Sequence, residues 1–405
     1  MPVYIGIDWG STHHELACLN SAGALLARQT IPHTADGFLR LDTLRQQLGA
    51  PLDECFVALE TAHHLLIDFL WAHEYTQVYV IPPSVTSGSR SRYRSSGARD
   101  DRSDAFLLAD LLRTDRARFY PWRPDSLLTR QIRAQVSLYH HLTRQAVRLN
   151  NRLYAVLSRY YPAALHVFSE LQTQIALHFL RTYPTPQAAA TLSWPAFQAF
   201  AREHHYPASR LPACFARLQA PHPVANPDTV AIYAPETLQL ASLLSSTVQA
   251  KTATLRTLQE LFRQHPDASI FATLPGAGEF LAPALLAHLG DDRQRFPSAA
   301  SLQALAGTCP VTDRSGKHRV VKFRRGCDRE FRHIAHQWAR CSLQASVWAA
   351  AYWEEVRAHG HSDSHAYRCL ANRWLSILWK LWQTRQPYDE EYHLRQRALH
   401  SAPTR

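Results

Sequence analysis

Short apolar runs alternate with amphipathic stretches along the first quarter of the chain. Five of these runs have the length and composition of β-strands: residues 4–7, 15–19, 24–27, 55–59 and 77–81. The first three, with a turn at 20–23, predict a meander of consecutive strands. Helical periodicity near 36–48, near 62–74 and in the stretch around Asp101 completes the order βββαβαβα.

That order of elements is typical of a ribonuclease-H-like α/β domain, in which the first and fourth strands lie side by side. Asp8 ends the first apolar run and Glu60 ends the fourth. Both are therefore expected at strand termini, and the topology would place Asp8 beside Glu60.

The remainder of the chain has mainly helical periodicity. Amphipathic patterns from about 127 to 161 and from about 235 to 264 flank a less regular segment that contains prolines. They predict either an antiparallel coiled coil or an ordinary helical domain, and the pattern favours neither. The expected fold class is α/β plus α. Four segments are expected: an α/β domain (1–125), a helical coiled-coil or linker region (126–268), a mainly helical carboxy-terminal domain (269–390) and a polar, loosely ordered tail (391–405).

The charge of the chain points to nucleic acid. The 405 residues carry a formal charge of +11, the pI is near 9.5, and arginine supplies most of the positive charge. Arginine can bind one phosphate through two hydrogen bonds, although basicity alone also fits a protein at a membrane surface or one that is merely soluble. No apolar stretch approaches the roughly 20 residues of a membrane helix, and Met1 leads directly into a strand rather than a secretion signal. We therefore expect a cytoplasmic protein with no membrane partner.

Cysteine and tryptophan usage adds two expectations about packing. The seven cysteines show neither CxxC spacing nor a zinc pattern, and we expect buried thiols in a reducing compartment. Six of the ten tryptophans lie between residues 338 and 382, in helical sequence. Their position favours packing in a core or an oligomer over base stacking.

Two acidic residues, Asp101 and Asp104, lie three apart in a helical stretch. At 100° per residue they share the apolar side of that helix, whereas Asp110 points to the opposite side. A carboxylate pair on a buried face is unusual, and a hard divalent cation such as Mg²⁺ is the common reason for one. The plainer alternative is a set of strand-end residues and a helix cap. Asp100 with Asp104 has i,i+4 spacing and keeps the register open, although the face of the helix favours Asp101.

Candidate nucleic-acid contacts fall in three places. The stretch 84–102 is rich in serine, glycine and arginine and predicts a mobile basic loop. Its candidates are Arg90, Arg92, Arg94 and Arg99. The turn at 274–278 resembles that of a helix-hairpin-helix motif, in which Gly276 and Gly278 would let backbone amides approach a phosphate; the alternative is a plain connector. Cations are in large excess over 314–340, where the candidates are Arg314, Lys317, Arg319, Lys322, Arg324 and Arg325.

Ser315 lies in a predicted turn at 311–317 that is flanked by cations. Most Ser-Gly pairs are turns and nothing more. The functional alternative is a nucleophilic hydroxyl whose attack on a phosphate is assisted by neighbouring positive charge and by a metal ion. Composition does not choose between the two.

Six short motifs, taken together and in order, resemble those of a known family. They are Gly6-Ile7-Asp8-Trp9, Ala58-Leu59-Glu60-Thr61, Asp101-Arg102-Ser103-Asp104-Ala105, Leu274-Pro275-Gly276-Ala277-Gly278, Ala306-Gly307-Thr308-Cys309-Pro310 and Arg314-Ser315-Gly316-Lys317. The ordered set is similar to that of the DEDD-type insertion-sequence transposases, the recombinases guided by a bridge RNA. The similarity covers nearly the whole chain.

This resemblance implies a RuvC-like domain whose four acids, matched by Asp8, Glu60, Asp101 and Asp104, bind Mg²⁺. It implies that the residue matched by Ser315 attacks the DNA backbone and forms a covalent phosphoserine link. It also implies a homo-oligomer, a dimer or tetramer, in which the serine of one subunit meets the acidic site of another. The expected partners are donor DNA, target DNA and a structured guide RNA, with the protein on the nucleoid when bound to DNA.

One departure from the family and three competing functions remain. Many relatives have a lysine shortly before the first helical aspartate, where this chain has Arg99 and Asp100. Residues 6–12 resemble the first phosphate loop of sugar kinases, but a second glycine-rich loop is missing. A junction-resolving nuclease would use the four acids with water and no serine. A nucleic-acid-binding protein without catalysis would need neither the four acids nor the serine.

Overall fold

Five strands form one sheet in the amino-terminal part of the chain. In the computed structural model, which describes residues 1–62, 65–92, 100–315 and 318–401, they are β1 (Val3–Trp9), β2 (His13–Leu19), β3 (Leu25–Pro32), β4 (Cys55–Leu59) and β5 (Val78–Val80). Their order across the sheet is β3-β2-β1-β4-β5. The first three strands pair antiparallel, which confirms the predicted meander. β4 pairs parallel with β1 and with β5, so the first and fourth strands are neighbours, as predicted.

Helices cover both faces of this sheet. They are α1 (Ala35–Gln47), α2 (Leu65–Ala72), α3 (Pro83–Ser89) and α4 (Asp101–Asp115). Side chains of α1 and α2 pack on one face with Ile5 and Ile7, and α4 packs on the other face with Tyr4. Because successive residues of a strand point to opposite faces, Gly6 and Asp8 lie on the α4 face.

Gly6 lets α4 approach the sheet closely. A Cβ at this position would overlap the carbonyl oxygen of Ala105 and lie 2.5 Å from the amide nitrogen of Ala109. Both of those atoms belong to the backbone of α4, so a side chain could be accommodated only by moving the helix. The absence of a side chain at Gly6 therefore sets the distance between β1 and the helix that carries Asp101 and Asp104.

Gly6→Ala is expected to lower the free energy of unfolding by about 2–3 kcal/mol, the upper part of the usual range of roughly 1–3 kcal/mol for overpacking, because the added Cβ meets backbone atoms. Urea denaturation monitored by circular dichroism would measure the loss. Gly88→Ala is the matched control, because a Cβ at Gly88 meets nothing within 4 Å and its φ is not positive. A Gly6→Ala protein as stable as the control would show that α4 does not depend on this contact.

The segment after β5 differs from the sequence prediction. The predicted basic loop from residue 84 is wrong for the described part, because α3 begins at Pro83 and a 3₁₀ turn follows over Arg90–Arg92. Proline is favoured at the first position of a helix, since its missing N–H would be unpaired there anyway. Residues 93–99, with the candidates Arg94 and Arg99, lie outside the described residues.

The chain divides into two compact units. The first comprises Met1–Asp125 with the short segments Asp292–Pro297 and Arg324–Gly326. The second comprises Ser126–Asp291, Ser298–Phe323 and the chain from Cys327 onward. Nearly all of the second unit is helical, so the expected class of an α/β domain with mainly helical sequence after it is confirmed.

The second unit is built from the remaining elements. Its helices are α5 (Leu127–Tyr160), α6 (Ala164–Val167), α7 (Gln174–Thr182), α8 (Pro186–Ala190), α9 (Trp194–Glu203), α10 (Leu211–Gln219), α11 (Pro227–Gln264), α12 (Ala268–Ala272), α13 (Gly278–Leu289), α14 (Ala299–Leu305), α15 (Arg329–Ser342), α16 (Val347–Ala358), α17 (Asp363–Thr384) and α18 (Glu390–Ser401). Its two strands are β6 (Val311–Ser315) and β7 (His318–Lys322). Among the described residues, no helix is both long and apolar enough to cross a membrane.

The two long helices α5 and α11 pack antiparallel. Thr129, near the start of α5, contacts His265, just after the end of α11, and Arg152 farther along α5 pairs with Glu236 near the start of α11. The short helices between them share a hydrophobic core with the end of α5 and the start of α11. This core includes Tyr160, the last residue of α5, together with Phe179 and Phe197. Both sequence alternatives thus describe part of the structure: an antiparallel helix pair and a helical domain.

Tryptophan packing matches expectation at four of the six carboxy-terminal positions. Trp338, Trp374 and Trp382 are fully buried and Trp348 is nearly so. The predicted loose tail is wrong in its first part, since residues from Glu390 form α18. The carboxylate of Glu390 accepts hydrogen bonds from the side chain of Ser346 and from the hydroxyl of Tyr388, which fixes the start of that helix.

The prediction of buried thiols holds for three cysteines and fails for the others. Cys18, Cys55 and Cys214 are buried. Cys309, Cys327 and Cys369 are partly exposed, and Cys341 is exposed. The exposed thiol, Cys341, lies near the end of α15 and outside the stripe of buried residues on that helix, which ends with Trp338, Ala339 and Ser342.

Candidate functional site

Four carboxylates converge at one end of the sheet in the first unit. β1 and β4 pair in parallel with Ile7 opposite Leu59, so the residues that follow, Asp8 and Glu60, leave neighbouring strands at the same level. The first turn of α4 supplies Asp101 and Asp104. All three other carboxylates lie close enough to act on the charge of Asp8. The structure thus brings the four predicted acids together.

Asp8 is the centre of this acidic cluster. Burial, followed by the negative charges of Asp101, Asp104 and Glu60, raises the pKa of Asp8 from 3.8 to about 7, and the positive charge of Arg90 opposes the shift. Negative charge is therefore concentrated where solvation is poor. A bound divalent cation relieves repulsion of this kind, because it favours the ionised form of each carboxylate.

Two side chains from the segment after β5 reach into the cluster. The guanidinium of Arg90 donates two hydrogen bonds to Asp104, of 3.1 Å and 2.7 Å. The hydroxyl of Thr86, which is buried, donates to Glu60 at 2.5 Å. Arg90 is a predicted nucleic-acid contact, whereas Thr86 is not a predicted site residue, because a threonine four residues before an arginine has no distinctive pattern. Its only signal was its place just after the fifth strand.

The four carboxylates of the cluster are chemically suited to bind a divalent cation. Four carboxylates supply the hard oxygen ligands that Mg²⁺ or Mn²⁺ takes. In the part of the chain that the structure describes, however, no three histidine, cysteine or acidic side chains are arranged to hold a metal ion as they stand. Arg90 already neutralises Asp104, so coordination by all four acids would require that ion pair to open.

The structure bears on the choice between Asp100 and Asp101. Asp100 occupies the position before the first residue of α4, is exposed and makes no capping hydrogen bond with its side chain. Asp101, and not Asp100, is among the charges that act on Asp8. The expectation of a buried face is wrong for Asp101, which is exposed, and for Asp110, which is buried and paired with Arg113 at 2.6 Å.

Asp8→Asn is expected to stabilise the metal-free protein at pH 8 by about 1–2 kcal/mol, after allowance for the partial exposure of the carboxylate. The folded state binds the Asp8 proton more tightly than the unfolded state does, so the wild type loses stability as pH rises from about 3.8 through about 7. An asparagine at position 8 has no proton to exchange in that range, so this contribution is absent from the variant. The two stabilities should therefore be equal at low pH, diverge as the pH rises from about 3.8 to about 7, and differ by a constant amount above that range.

Urea denaturation in the presence of a chelator, from pH 4 to pH 8, measures this difference. Added Mg²⁺ or Mn²⁺ should then stabilise the wild type more than the variant, because a ligand that binds only the folded state raises its stability. Equal stabilities at pH 8 without metal would show that burial and the neighbouring carboxylates do not raise the pKa of Asp8.

Ser315 ends β6 in the second unit. Residues 311–315 form a strand rather than the predicted turn, paired antiparallel with β7 so that Ser315 lies opposite His318. All five residues of β6 are exposed, as are four of the five in β7. Arg314, Arg319 and Lys322 are exposed on this ribbon. Ser315 is thus exposed to solvent on a ribbon that also carries these cations.

The base of the ribbon is held by contacts within the second unit. Phe323, which follows β7, lies under the guanidinium groups of Arg332 and Arg368, at 4.5 Å and 5.2 Å from its ring centre. Before β6, the hydroxyl of Thr308 donates to the side chain of Asn372 at 2.8 Å. The base of the ribbon is therefore fixed by packing, whereas Ser315 and His318, at its other end, are exposed.

The remaining nucleic-acid candidates differ in their surroundings. Gly276 packs on the end of α15, where a Cβ would lie 2.5 Å from the backbone of Cys341, so its lack of a side chain has a packing cause. Gly278 has a φ of 54° and is exposed, and a Cβ added there would meet nothing within 4 Å. Arg325 is exposed and Arg324 is partly buried. Lys317 and the side chain of Arg92 lie outside the part of the chain that the structure describes.

Comparison with known proteins gives matches in both units. Residues 5–162 match a transposase family of the DEDD, IS110 type, and residues 268–354 match a family described as "Transposase IS116/IS110/IS902 family". Transposases of the DEDD type typically use a divalent metal.

Several curated relatives match along nearly the whole chain. The mini-circle putative transposase for IS117 of Streptomyces coelicolor is 32% identical over 402 residues, which covers 96% of each chain. An uncharacterized 42 kDa protein of insertion element IS900 from Mycobacterium paratuberculosis is 27% identical, covering 94% of this chain and 95% of that one. An uncharacterized 43.6 kDa protein of insertion element IS110 from Streptomyces coelicolor is 23% identical, covering 94% and 93%.

Proposed function

This chain belongs to the IS116/IS110/IS902 family of transposases, and from that premise we propose that it cleaves and exchanges DNA strands through a covalent phosphoserine intermediate at Ser315, with Mg²⁺ at the acidic cluster. The observation that carries the proposal is the convergence of Glu60, Asp101 and Asp104 on Asp8, whose pKa they raise together with burial. The strand order β3-β2-β1-β4-β5 supports a ribonuclease-H-like, RuvC-like assignment for the domain that holds them.

The acids and the serine have separate tasks in this proposal. Asp8, Glu60, Asp101 and Asp104 would hold the metal, which supplies charge stabilisation to the phosphate when bound. The ion pair between Arg90 and Asp104 would have to open for Asp104 to serve as a ligand. Ser315 forms the bond to phosphorus, and the exposed cations of the ribbon attract the DNA backbone and orient it.

A guide RNA and an oligomer are part of the same proposal. The charge of +11 supports binding of more than one nucleic acid strand. A structured RNA would pair with donor and target DNA, so that base pairing selects the sequence and the protein recognises the backbone and the shape of the RNA. A ribbon that presents its serine to solvent supports delivery of Ser315 to the acidic cluster of another subunit.

Trapping a protein–DNA adduct tests the proposal. Purified protein is incubated with Mg²⁺ and nicked suicide substrates made from the ends of its insertion sequence, together with RNA transcribed from the element. The expected product is a covalent adduct that mass spectrometry maps to Ser315. An adduct on any other residue, or cleavage with no adduct, would overturn the assignment.

A water-using nuclease is the second candidate. It is favoured by one observation: all four acids lie in the first unit, so this cluster is complete without the ribbon that carries Ser315. Such an enzyme would cut branched DNA but would not join strands through the protein. The response to loss of the Ser315 hydroxyl separates the two functions.

A further inference from the structure

The β6–β7 ribbon places a histidine directly across from the serine. In the antiparallel register, Ser315 pairs with His318. Side chains of directly opposed residues lie on the same side of a two-stranded sheet, with their Cβ atoms about 4.5–5.5 Å apart. At that separation an imidazole can reach the hydroxyl with a ring nitrogen.

The face of the ribbon that carries Ser315 offers few other proton acceptors. Alternation along the strands puts Val311, Asp313, Val320 and Lys322 on the same face. Of these side chains only that of Asp313 is a base, and its carboxylate already accepts a hydrogen bond from Lys322 at 2.7 Å. His318 is therefore the group on this face best placed to take a proton from Ser315.

The opposite face has a different chemistry. Arg314 and Arg319 are register partners there, with Thr312 and Val321 beside them. A guanidinium stays protonated in proteins and cannot act as a base. The ribbon thus has a face of cations suited to phosphate and a face that holds the serine, the histidine and an ion pair.

We propose that His318 is the general base for Ser315, an inference that rests on the nucleophilic role proposed above. The Oγ atom of Ser315 bonds to phosphorus while the bond from phosphorus to the departing strand oxygen breaks. The hydroxyl proton passes to a ring nitrogen of His318, and the departing oxygen takes a proton from water. In the joining step a strand hydroxyl attacks the phosphoserine, releasing its own proton to water, and the imidazolium returns a proton to Oγ.

The position of His318 on the ribbon gives this assignment a structural basis. Both residues are exposed and belong to one hydrogen-bonded hairpin, so they move as a pair. A serine delivered to another subunit brings its base with it. Activation of the hydroxyl then does not depend on how closely that subunit positions a base of its own.

The rate of adduct formation tests the proposal. His318→Ala and His318→Gln are compared with the wild type on nicked element-end DNA between pH 5.5 and pH 9. General bases contribute about 10²–10⁴-fold, so we expect both variants to lose about 10²-fold or more at neutral pH. The rise of the wild-type rate with pH should be absent in both. Added imidazole should restore part of the rate to His318→Ala and nothing to wild type.

Controls separate this inference from the proposed function. His359→Ala, which removes an exposed imidazole at the end of α16, should keep the wild-type rate and pH profile. A His318→Ala protein that keeps them too, or that loses rate without a changed pH profile or rescue by imidazole, would overturn the role of His318 while leaving the nucleophile intact. An adduct that persists in Ser315→Ala would instead overturn the nucleophile, and the base with it.

Discussion

Ser315→Ala is expected to abolish the covalent adduct and to lower strand cleavage by at least about 10⁴-fold, since removal of a nucleophile leaves only binding and electrostatic contributions. The exposed ribbon should fold as in the wild type, because the hydrogen bonds between β6 and β7 are made by backbone atoms. DNA binding should be unchanged within error. Gel separation of adduct and cleaved strands, with single-turnover rates, gives the measurement.

Ser242→Ala is the matched control for this variant. Ser242 is exposed on α11 and its hydroxyl bonds only to the backbone of its own helix in the described structure. The Ser242→Ala protein should cleave DNA at the wild-type rate. Retention of cleavage by Ser315→Ala would instead favour the nuclease that uses water, and the phosphoserine mechanism would be abandoned.

The second large effect is expected at the acidic cluster. Asp8→Asn should lower cleavage by about 10³-fold or more, because charge stabilisation by a bound metal is worth several kcal/mol and each 1.36 kcal/mol is a factor of ten. Binding of DNA should persist, since it depends on cations elsewhere. A non-catalytic nucleic-acid-binding protein predicts the contrary result, full function in this variant.

Two adjacent aspartates provide a matched pair for that experiment. Asp101→Asn should behave like Asp8→Asn, because Asp101 acts on the charge of Asp8. Asp100→Asn removes an exposed carboxylate one residue earlier and should cost less than about tenfold, below the loss of roughly 10–100-fold typical of residues that support metal ligands. Reversal of this order would mean that Asp100 is the ligand.

The sequence predicts the acidic cluster well because strand periodicity and strand ends are local signals. Asp8 and Glu60 follow apolar runs that could be recognised without tertiary information, and the parallel pairing of β1 with β4 then brings the two residues together. The side chains that hydrogen-bond to the acids of this cluster come from distant positions in the sequence. Thr86 and Arg90 reach the cluster only because Pro83 starts a helix where the sequence suggests a loop.

Other failures have similar physical causes. Asp110 is buried although helical periodicity places it away from the apolar side, because its ion pair with Arg113 compensates the buried charge. The strand that ends at Ser315 was hidden because every one of its residues is exposed. Without a buried face there is no alternation of apolar and polar residues, and charge and a glycine pair predict a turn instead.

The exposed ribbon also bears on solubility. In the described structure β6 and β7 form a sheet of two strands, so each has an edge whose backbone groups are open to pairing with another chain. Charged side chains discourage such edge-to-edge association, and Arg314, Arg319 and Lys322 stand along both edges. Variants that remove these cations to weaken DNA binding are therefore prone to self-association, and their apparent affinities need to be measured at dilutions where the protein is shown to stay dispersed.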